Sequence, residues 1–254
     1  MPSGTDRPLT LLTDYGVGGE HVGALHLALA AACPDAPRVD IAHDIPPGDI
    51  RWGALTLSRH APALPSAVHL AVVDPGVGGP RRALAISLED DGYVVGPDNG
   101  LLGPIADVVG VRTAVELRAM PADAPRTFHG RDLFAPAAAH LSTGGLLAEL
   151  GVEIDPAGIV HPRMDPPKVA PGLLSAEVVG RDRFGNISLL ARRADLVRAE
   201  LASRPLRLVG SDGRAVDVIA GTRFGDVAPG ELVLYEDSNR VLSVAQRGGD
   251  AWAV

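Results

Sequence analysis

Along the first 160 residues, short apolar runs alternate with longer stretches in which apolar residues return every three to four positions. The runs at residues 9–12, 39–42 and 68–73 are too short for helices and predict buried strands. Glu20–Ala32 brings Val22, Leu25, Leu29 and Ala32 near one face and predicts a helix. Asp49 suits an N-cap, because its carboxylate can accept the free N–H groups of a first turn; it predicts a second helix running to about His60. Shorter strands are predicted over Ala83–Leu88 and residues 93–96. Asp98 and Asn99 are predicted to cap a helix over 101–109, and Asp132 an alanine-rich, buried helix over 134–141. Strands alternating with helices predict an α/β domain over 1–160, with a mostly parallel sheet flanked by helices on both faces.

The pattern changes after Ile154. Prolines at 156, 162, 166, 167 and 171 break any periodicity, and residues 161–171 read as a proline-rich linker. Beyond it, strand-like runs at 174–179, 187–190, 206–209, 216–219, 232–235 and 241–245 are separated by glycine-bearing turns, with one short helix at about 195–201. This predicts a smaller all-β, barrel-like domain over 172–254.

Bulk properties narrow the function. Apolar residues make up 46% and charged residues 21% of 254, so the chain can bury a core. The net charge is −8, no segment concentrates Lys or Arg, and aromatics are only 4%, which argues against a nucleic-acid partner. The N-terminal segment carries Asp6 and Arg7 and no apolar core of a signal peptide, and no run reaches membrane-spanning length; the expected place is the cytoplasm, with no membrane partner. Cys33, the only cysteine, reads as a buried structural thiol.

Candidate chemistry gathers at the predicted strand ends. The run 68–73 feeds directly into Asp74, at the carboxyl end of a buried strand, where open α/β sheets bind ligands. Arg81 and His129 follow, and like Asp74 each lies close to glycine. Read singly, they are equally an ion pair and a loop histidine, or parts of a site. Asp14 ends the first predicted strand ahead of Gly16, Gly18 and Gly19; it can accept hydrogen bonds from a ribose diol or simply shape its own turn. That loop does not match G-x-G-x-x-G and lacks the lysine of a P-loop. Asp182-Arg183-Phe184-Gly185-Asn186 is turn-forming, yet Phe184 can stack on a planar ring and Asn186 can both donate and accept. His21 and His26 are five apart rather than four, and His43, His60, His69, His140 and His161 show no metal-ligand spacing, so no metal site is expected. There is no G-x-S-x-G elbow.

Six segments occur in the order and spacing of one known group: Thr13-Asp14-Tyr15-Gly16, Asp44-Ile45-Pro46-Pro47, Val73-Asp74-Pro75-Gly76-Val77-Gly78, Pro97-Asp98-Asn99-Gly100, Thr127-Phe128-His129-Gly130-Arg131-Asp132 and Asp182-Arg183-Phe184-Gly185-Asn186. Over essentially its whole length the chain resembles the S-adenosylmethionine (SAM) hydrolases, or SAM hydroxide adenosyltransferases, relatives of fluorinase and chlorinase. The resemblance implies hydrolysis of SAM to adenosine and methionine, with no cofactor and no metal, by a homotrimer whose active sites lie between the first domain of one subunit and the second of its neighbour. It implies that Asp14 holds the ribose hydroxyls, that Phe184 and Asn186 contact adenine, and that Asp182 and Ser238 lie on the second domain's side of the ligand. It assigns Asp74, Arg81 and His129 to the attacking water. The halogenating relatives carry tyrosine at the position of Asp74. Halide has no proton to lose and is repelled by a carboxylate, so Asp74 favours hydrolysis.

The chain departs from that pattern at three positions. Gly19 replaces the usual acid for the methionine amino group, with Glu20 adjacent as its substitute; Gly48 replaces an aromatic residue; and Asn239 stands where fluorinase has an arginine. A halogenase of the same fold and a non-catalytic SAM or adenosine binder are the alternatives.

Overall fold

The computed structural model describes residues 6–118, 127–202 and 205–254. The chain divides into two compact units, Met1–Arg163 and Met164–Val254.

In chain order the first unit contains β1 (Leu9–Thr13), α1 (Glu20–Ala32), β2 (Arg38–Ala42), α2 (Ile50–His60), β3 (Val68–Val72), β4 (Ala83–Leu88) and β5 (Tyr93–Pro97). α3 (Gly103–Val109), β6 (Val111–Leu117), a π turn at Gly130–Phe134, α4 (Ala135–Ser142) and β7 (Gly151–Ile154) follow. The seven strands form one sheet in the order β2-β1-β3-β5-β4-β6-β7. The fold class is α/β as expected, but the sheet is parallel only across β2-β1-β3-β5; β4, β6 and β7 pair antiparallel. The change of direction comes at a tight hairpin, where Leu88 N–H bonds the Gly92 carbonyl and sends β5 back along β4.

β1 and β3 are buried at every position because helices cover both faces of the sheet. On one face, Leu9, Leu11 and Leu70 pack with Leu25 and Leu29 of α1 and Ala138 and Leu141 of α4. On the other, Leu12 and Ala71 pack with Ala54 and Leu57 of α2 and Leu101 and Ile105. Cys33 is fully buried and donates its thiol to the Leu29 carbonyl at 3.2 Å; burial pushes the thiol pKa up. Asp49 caps α2 as expected, accepting from Trp52 N–H at 2.9 Å.

Several expectations need correction. Three strands escape the sequence pattern: β6 alternates Val, Arg, Thr and Ala too irregularly, β7 is a short, part-exposed edge strand, and a third, Lys168–Ala170 of the second unit, lies inside the expected linker. Asp132 is not a cap. It lies inside the π turn and pairs with Arg131 instead. Asp98 is not a cap either: its buried carboxylate accepts from Arg82 Nε at 2.8 Å and from Val160 N–H at 2.8 Å. Asn99 alone meets the chain ahead of α3, through Leu101 N–H.

The second unit contains β8 (Lys168–Ala170), β9 (Leu173–Ser175), β10 (Val178–Arg181), β11 (Ile187–Leu189), α5 (Arg193–Arg198), β12 (Pro205–Val209), β13 (Ala215–Ala220), β14 (Leu232–Glu236) and β15 (Leu242–Gln246). It is mostly β: a six-stranded sheet, β10-β11-β15-β14-β13-β12, and a hairpin of β8 and β9. The run expected as one strand at 174–179 is split between β9 and β10. The helix expected at 195–201 begins and ends earlier, with Asp195 accepting from the Arg192 N–H at its start. Among the described residues no helix is long and apolar enough to cross a membrane.

Candidate active site

β1 lies between β2 and β3, so the chain leaves it in one direction through α1 and later returns on its other side through α2. Such a switch point is where open α/β sheets bind ligands, beyond the carboxyl ends of the strands. Thr13 pairs with Val72 across β1 and β3, which brings Asp14 and Asp74 to the same rim. A cavity of about 310 Å³ opens there, lined in part by Asp14, Tyr15, Asp74, Phe128 and His129.

Asp74 is almost fully buried and is held by Arg81. Arg81 Nε donates to Oδ1 and Oδ2 at 3.1 Å each, and Nη2 donates to Oδ2 as well. The same Nη2 meets His129 Nδ1 at 2.7 Å. A guanidinium has no acceptor, so Nδ1 must be the acceptor and a neutral His129 carries its proton on Nε2. Phe134, fully buried, supports both partners: the Arg81 guanidinium lies 5.3 Å from its ring centre and the His129 ring 6.4 Å, edge-on. Asn99 Nδ2 donates to the Val73 carbonyl at 2.9 Å and so fixes the backbone just ahead of Asp74.

Asp14 accepts the Gly48 N–H at 2.8 Å. Gly48 has φ +74°, a left-handed conformation that favours glycine. Glycine at 48 thus suits the turn whose N–H meets Asp14. Tyr15, half-buried beside the two carboxylates, has its phenol pKa pushed up, first by burial and then by the charges of Asp14 and Asp74. Its ring packs against Phe128 at 5.6 Å and His21 at 5.7 Å. A Cβ on Gly130 would overlap the Tyr15 hydroxyl, which explains glycine after His129.

Sequence reasoning did not select Tyr15, His21, Thr127 or Phe128 for the site. The first and the last two sit inside segments that carried the resemblance, which was the available signal; His21 had none.

Of the remaining expected residues, Glu20 does not line this cavity and the others belong to the second unit. Glu20 opens α1 and is exposed. In the second unit, Asp182, Phe184 and Asn186 share one turn. Asp182 Oδ1 accepts from the Phe184 and Asn186 N–H groups, both at 2.9 Å, and Oδ2 from Asn186 Nδ2 at 2.7 Å. Asp182 thus shapes the turn, while Phe184 stands 64% exposed. Ser238 and Asn239 occupy the turn between β14 and β15, where Asn239 N–H bonds Asp237 Oδ1 at 2.8 Å. Tyr235 at this end has its pKa pushed up to about 12 by burial and by the carboxylates of Asp237 and Asp182. A larger cavity of about 480 Å³ lies against β12–β14, but its walls carry no imidazole and no site residue, so the smaller one is the candidate.

Two family models match the chain: the SAM hydroxide adenosyltransferase N-terminal domain over residues 9–151 and the corresponding C-terminal domain over 176–254. The chain is similar to the (R)-S-adenosyl-L-methionine hydrolase of Salinispora tropica, with 45% identity over 96% of this chain and 91% of the relative. It is more distantly similar to a fluorinase from an Actinoplanes species, with 26% identity over 97% and 93% of the two chains. Its structure resembles that of an uncharacterized conserved protein from Thermotoga maritima, with a TM-score of 0.86 and 32% identity, covering 97% and 96%.

Proposed function

The chain belongs to the SAM hydroxide adenosyltransferase family, and from that membership we propose that it hydrolyses S-adenosyl-L-methionine, as the (R)-sulfonium epimer, to adenosine and L-methionine. The observation that carries the reading is the Asp74–Arg81–His129 cluster on the same rim as Asp14.

In this reaction a water oxygen bonds C5′ as the C5′–S bond breaks, and the bonding pair leaves on sulfur. Methionine departs as a neutral thioether, so its exit needs no acid. The water proton is lost from an oxonium, which is a strong acid, so even a carboxylate engaged by arginine is basic enough to take it. We assign that step to Asp74, whose oxygens keep lone pairs beyond those used by Arg81. His129, with Nδ1 occupied, orients the water. Arg81 is a positioning residue that holds both. In-line placement supplies about 7–11 kcal/mol of the barrier, and proton removal about 10²- to 10⁴-fold in rate.

Asp14 is assigned to the ribose diol, Phe184 and Asn186 to adenine, and Asp182 to shaping their turn. Ser238, Asn239 and Glu20 are assigned to the methionine end. The proposal includes a homotrimer in which one subunit's second unit completes the neighbour's site. Light scattering tests it: the expected mass is three times 26.2 kDa, and a monomer would remove the shared site.

The activity is tested with purified protein and each sulfonium epimer of SAM in ¹⁸O-water, read by mass spectrometry. Expected are equal amounts of adenosine and methionine from the (R) epimer, with the label in the adenosine 5′-hydroxyl. SAM binding without adenosine release would make the chain a binder. Formation of 5′-chloro-5′-deoxyadenosine in chloride would make it a halogenase.

A further inference from the structure

We propose that His26, Asp40 and His43 form a binding site for one divalent transition-metal ion of the zinc class. The three come from separate places in the first unit: His26 from the middle of α1, Asp40 from β2, and His43 from the residue after β2. His26 Nε2 lies 3.2 Å from Asp40 Oδ1, and His43 Nε2 lies 3.2 Å from the same oxygen. All three ligand atoms are within 4.8 Å of one another. Ligands about 2.0–2.2 Å from a tetrahedral ion stand roughly 3.4 Å apart, so two edges of the triangle already match. The third closes by rotation of His26, whose side chain is 34% exposed and has room to turn.

His43 is the decisive member. It is 93% buried, from a relative exposure of 7%, yet its Nε2 has no hydrogen-bond partner among the described residues. Asp40 is close enough for a charge contact but lies off the hydrogen-bonding direction of that nitrogen. Asp40 Oδ1 stands at the same 3.2 Å from both imidazoles, so an ion pair with Asp40 still leaves the buried His43 Nε2 without a hydrogen bond. Leaving such an atom unpartnered is costly, and a metal ion removes the cost. The other ring nitrogen is held in the manner of a metal ligand: Nδ1 meets Thr13 Oγ1 at 2.9 Å. When Nδ1–H donates to that hydroxyl, the Nε2 lone pair faces the site.

The donor set chooses the ion. Two imidazoles and one carboxylate suit zinc, cobalt, nickel or copper, whereas magnesium and calcium favour oxygen ligands. Asp40, 47% exposed, and His26 leave the outer side open for water to complete the shell. None of the three residues lines the candidate active-site cavity. Their link to it is mechanical. Thr13 immediately precedes Asp14, and the His43 carbonyl accepts the Gly16 N–H at 2.7 Å. The ion would tie α1 to β2 and brace the loop that carries Asp14.

The test uses the full chain, stripped with a chelator and dialysed. Titration with Zn²⁺ is followed by calorimetry and with Co²⁺ by visible absorption. Expected are one ion per chain, tetrahedral-type cobalt bands, a Tm raised by Zn²⁺ and no response to Mg²⁺. His26→Ala and Asp40→Asn, at part-exposed positions and checked for folding by circular dichroism, should each weaken Zn²⁺ binding about a hundredfold. Thr13→Val should weaken it about tenfold, as loss of an outer-shell partner does. His140→Ala, elsewhere in the unit, should leave binding unchanged. X-ray absorption at the zinc edge of the wild-type protein should report two imidazoles and oxygen ligands. Absence of stoichiometric binding by the wild type, or wild-type affinity in either His26→Ala or Asp40→Asn, overturns the proposal.

Discussion

Arg81 Nη2 donates to His129 Nδ1 at 2.7 Å, while the same guanidinium holds both oxygens of Asp74. One positive group therefore sets the orientation of the two side chains proposed to handle the attacking water. Removing a member should cost chemistry more than affinity. Asp74→Asn and His129→Ala are each expected to lower kcat about 10²- to 10⁴-fold, with a far smaller change in the Kd for SAM by calorimetry. Wild-type turnover in either variant would strip that residue of its role. Arg81→Lys keeps the charge but lacks the planar fork, so it cannot hold both partners; its kcat should fall between those of wild type and Asp74→Asn.

Asp14 faces the cavity and is held by the Gly48 N–H. If it accepts the ribose diol, Asp14→Asn loses charge-assisted hydrogen bonds worth about 1.5–3 kcal/mol. Adenosine should then bind about 10- to 100-fold more weakly. Unchanged adenosine affinity by calorimetry would mean that the ribose sits elsewhere.

Gly130 and Tyr15 form a tight pair, because a Cβ on Gly130 would overlap the Tyr15 hydroxyl. Gly130→Ala should destabilise the protein by about 1–3 kcal/mol, as overpacking does, and disturb the adjacent His129. Tyr15→Phe removes the overlapping oxygen. In a double-mutant cycle by urea unfolding, Tyr15→Phe should therefore recover much of the stability lost in Gly130→Ala. Additive losses would show that the hydroxyl is not the obstacle.

His69 is fully buried in the sheet, where its Nδ1 meets Thr10 Oγ1 at 2.8 Å. Burial pulls its pKa down from 6.5 to about 4, against a smaller upward pull from Asp90. The unfolded chain therefore binds a proton near pH 6.5 that the folded protein refuses until about pH 4. This contribution to stability is complete above pH 6.5 and is lost as pH falls toward 4, by about 3 kcal/mol in total. Urea unfolding at several pH values should show that slope, and His69→Gln should flatten it. An unchanged slope in the variant would assign the acid sensitivity to other groups.

Much of the framework is legible in local pattern. The apolar runs at β1 and β3 and the spacing of α1 predict their elements, because burial on both faces of a sheet, or on one face of a helix, leaves a periodic trace. Asp14 and Asp74 are visible as charges that end such runs. β6 and β7 are less legible, since their burial depends on which strands flank them. The direction of β4 is likewise outside local pattern, because a strand reads the same either way.

The chain's periodicity and motifs were sufficient to identify an α/β unit, a mostly β unit and the residues around which a SAM-hydrolysing site is proposed. They left open whether Asp74, Arg81 and His129 meet. Arg81 and His129 are 48 positions apart, and their contact depends on how the π turn packs against α1 and β5, which no local signal encodes. The grouping of His26, Asp40 and His43 is still less visible. Their spacing matches no ligand motif, and no metal site was expected from it; the cluster exists because α1 and β2 bring the three together. Sequence pattern reports what each segment must bury. Which polar atoms then face one another follows from strand order and register, and these are properties of the packed sheet.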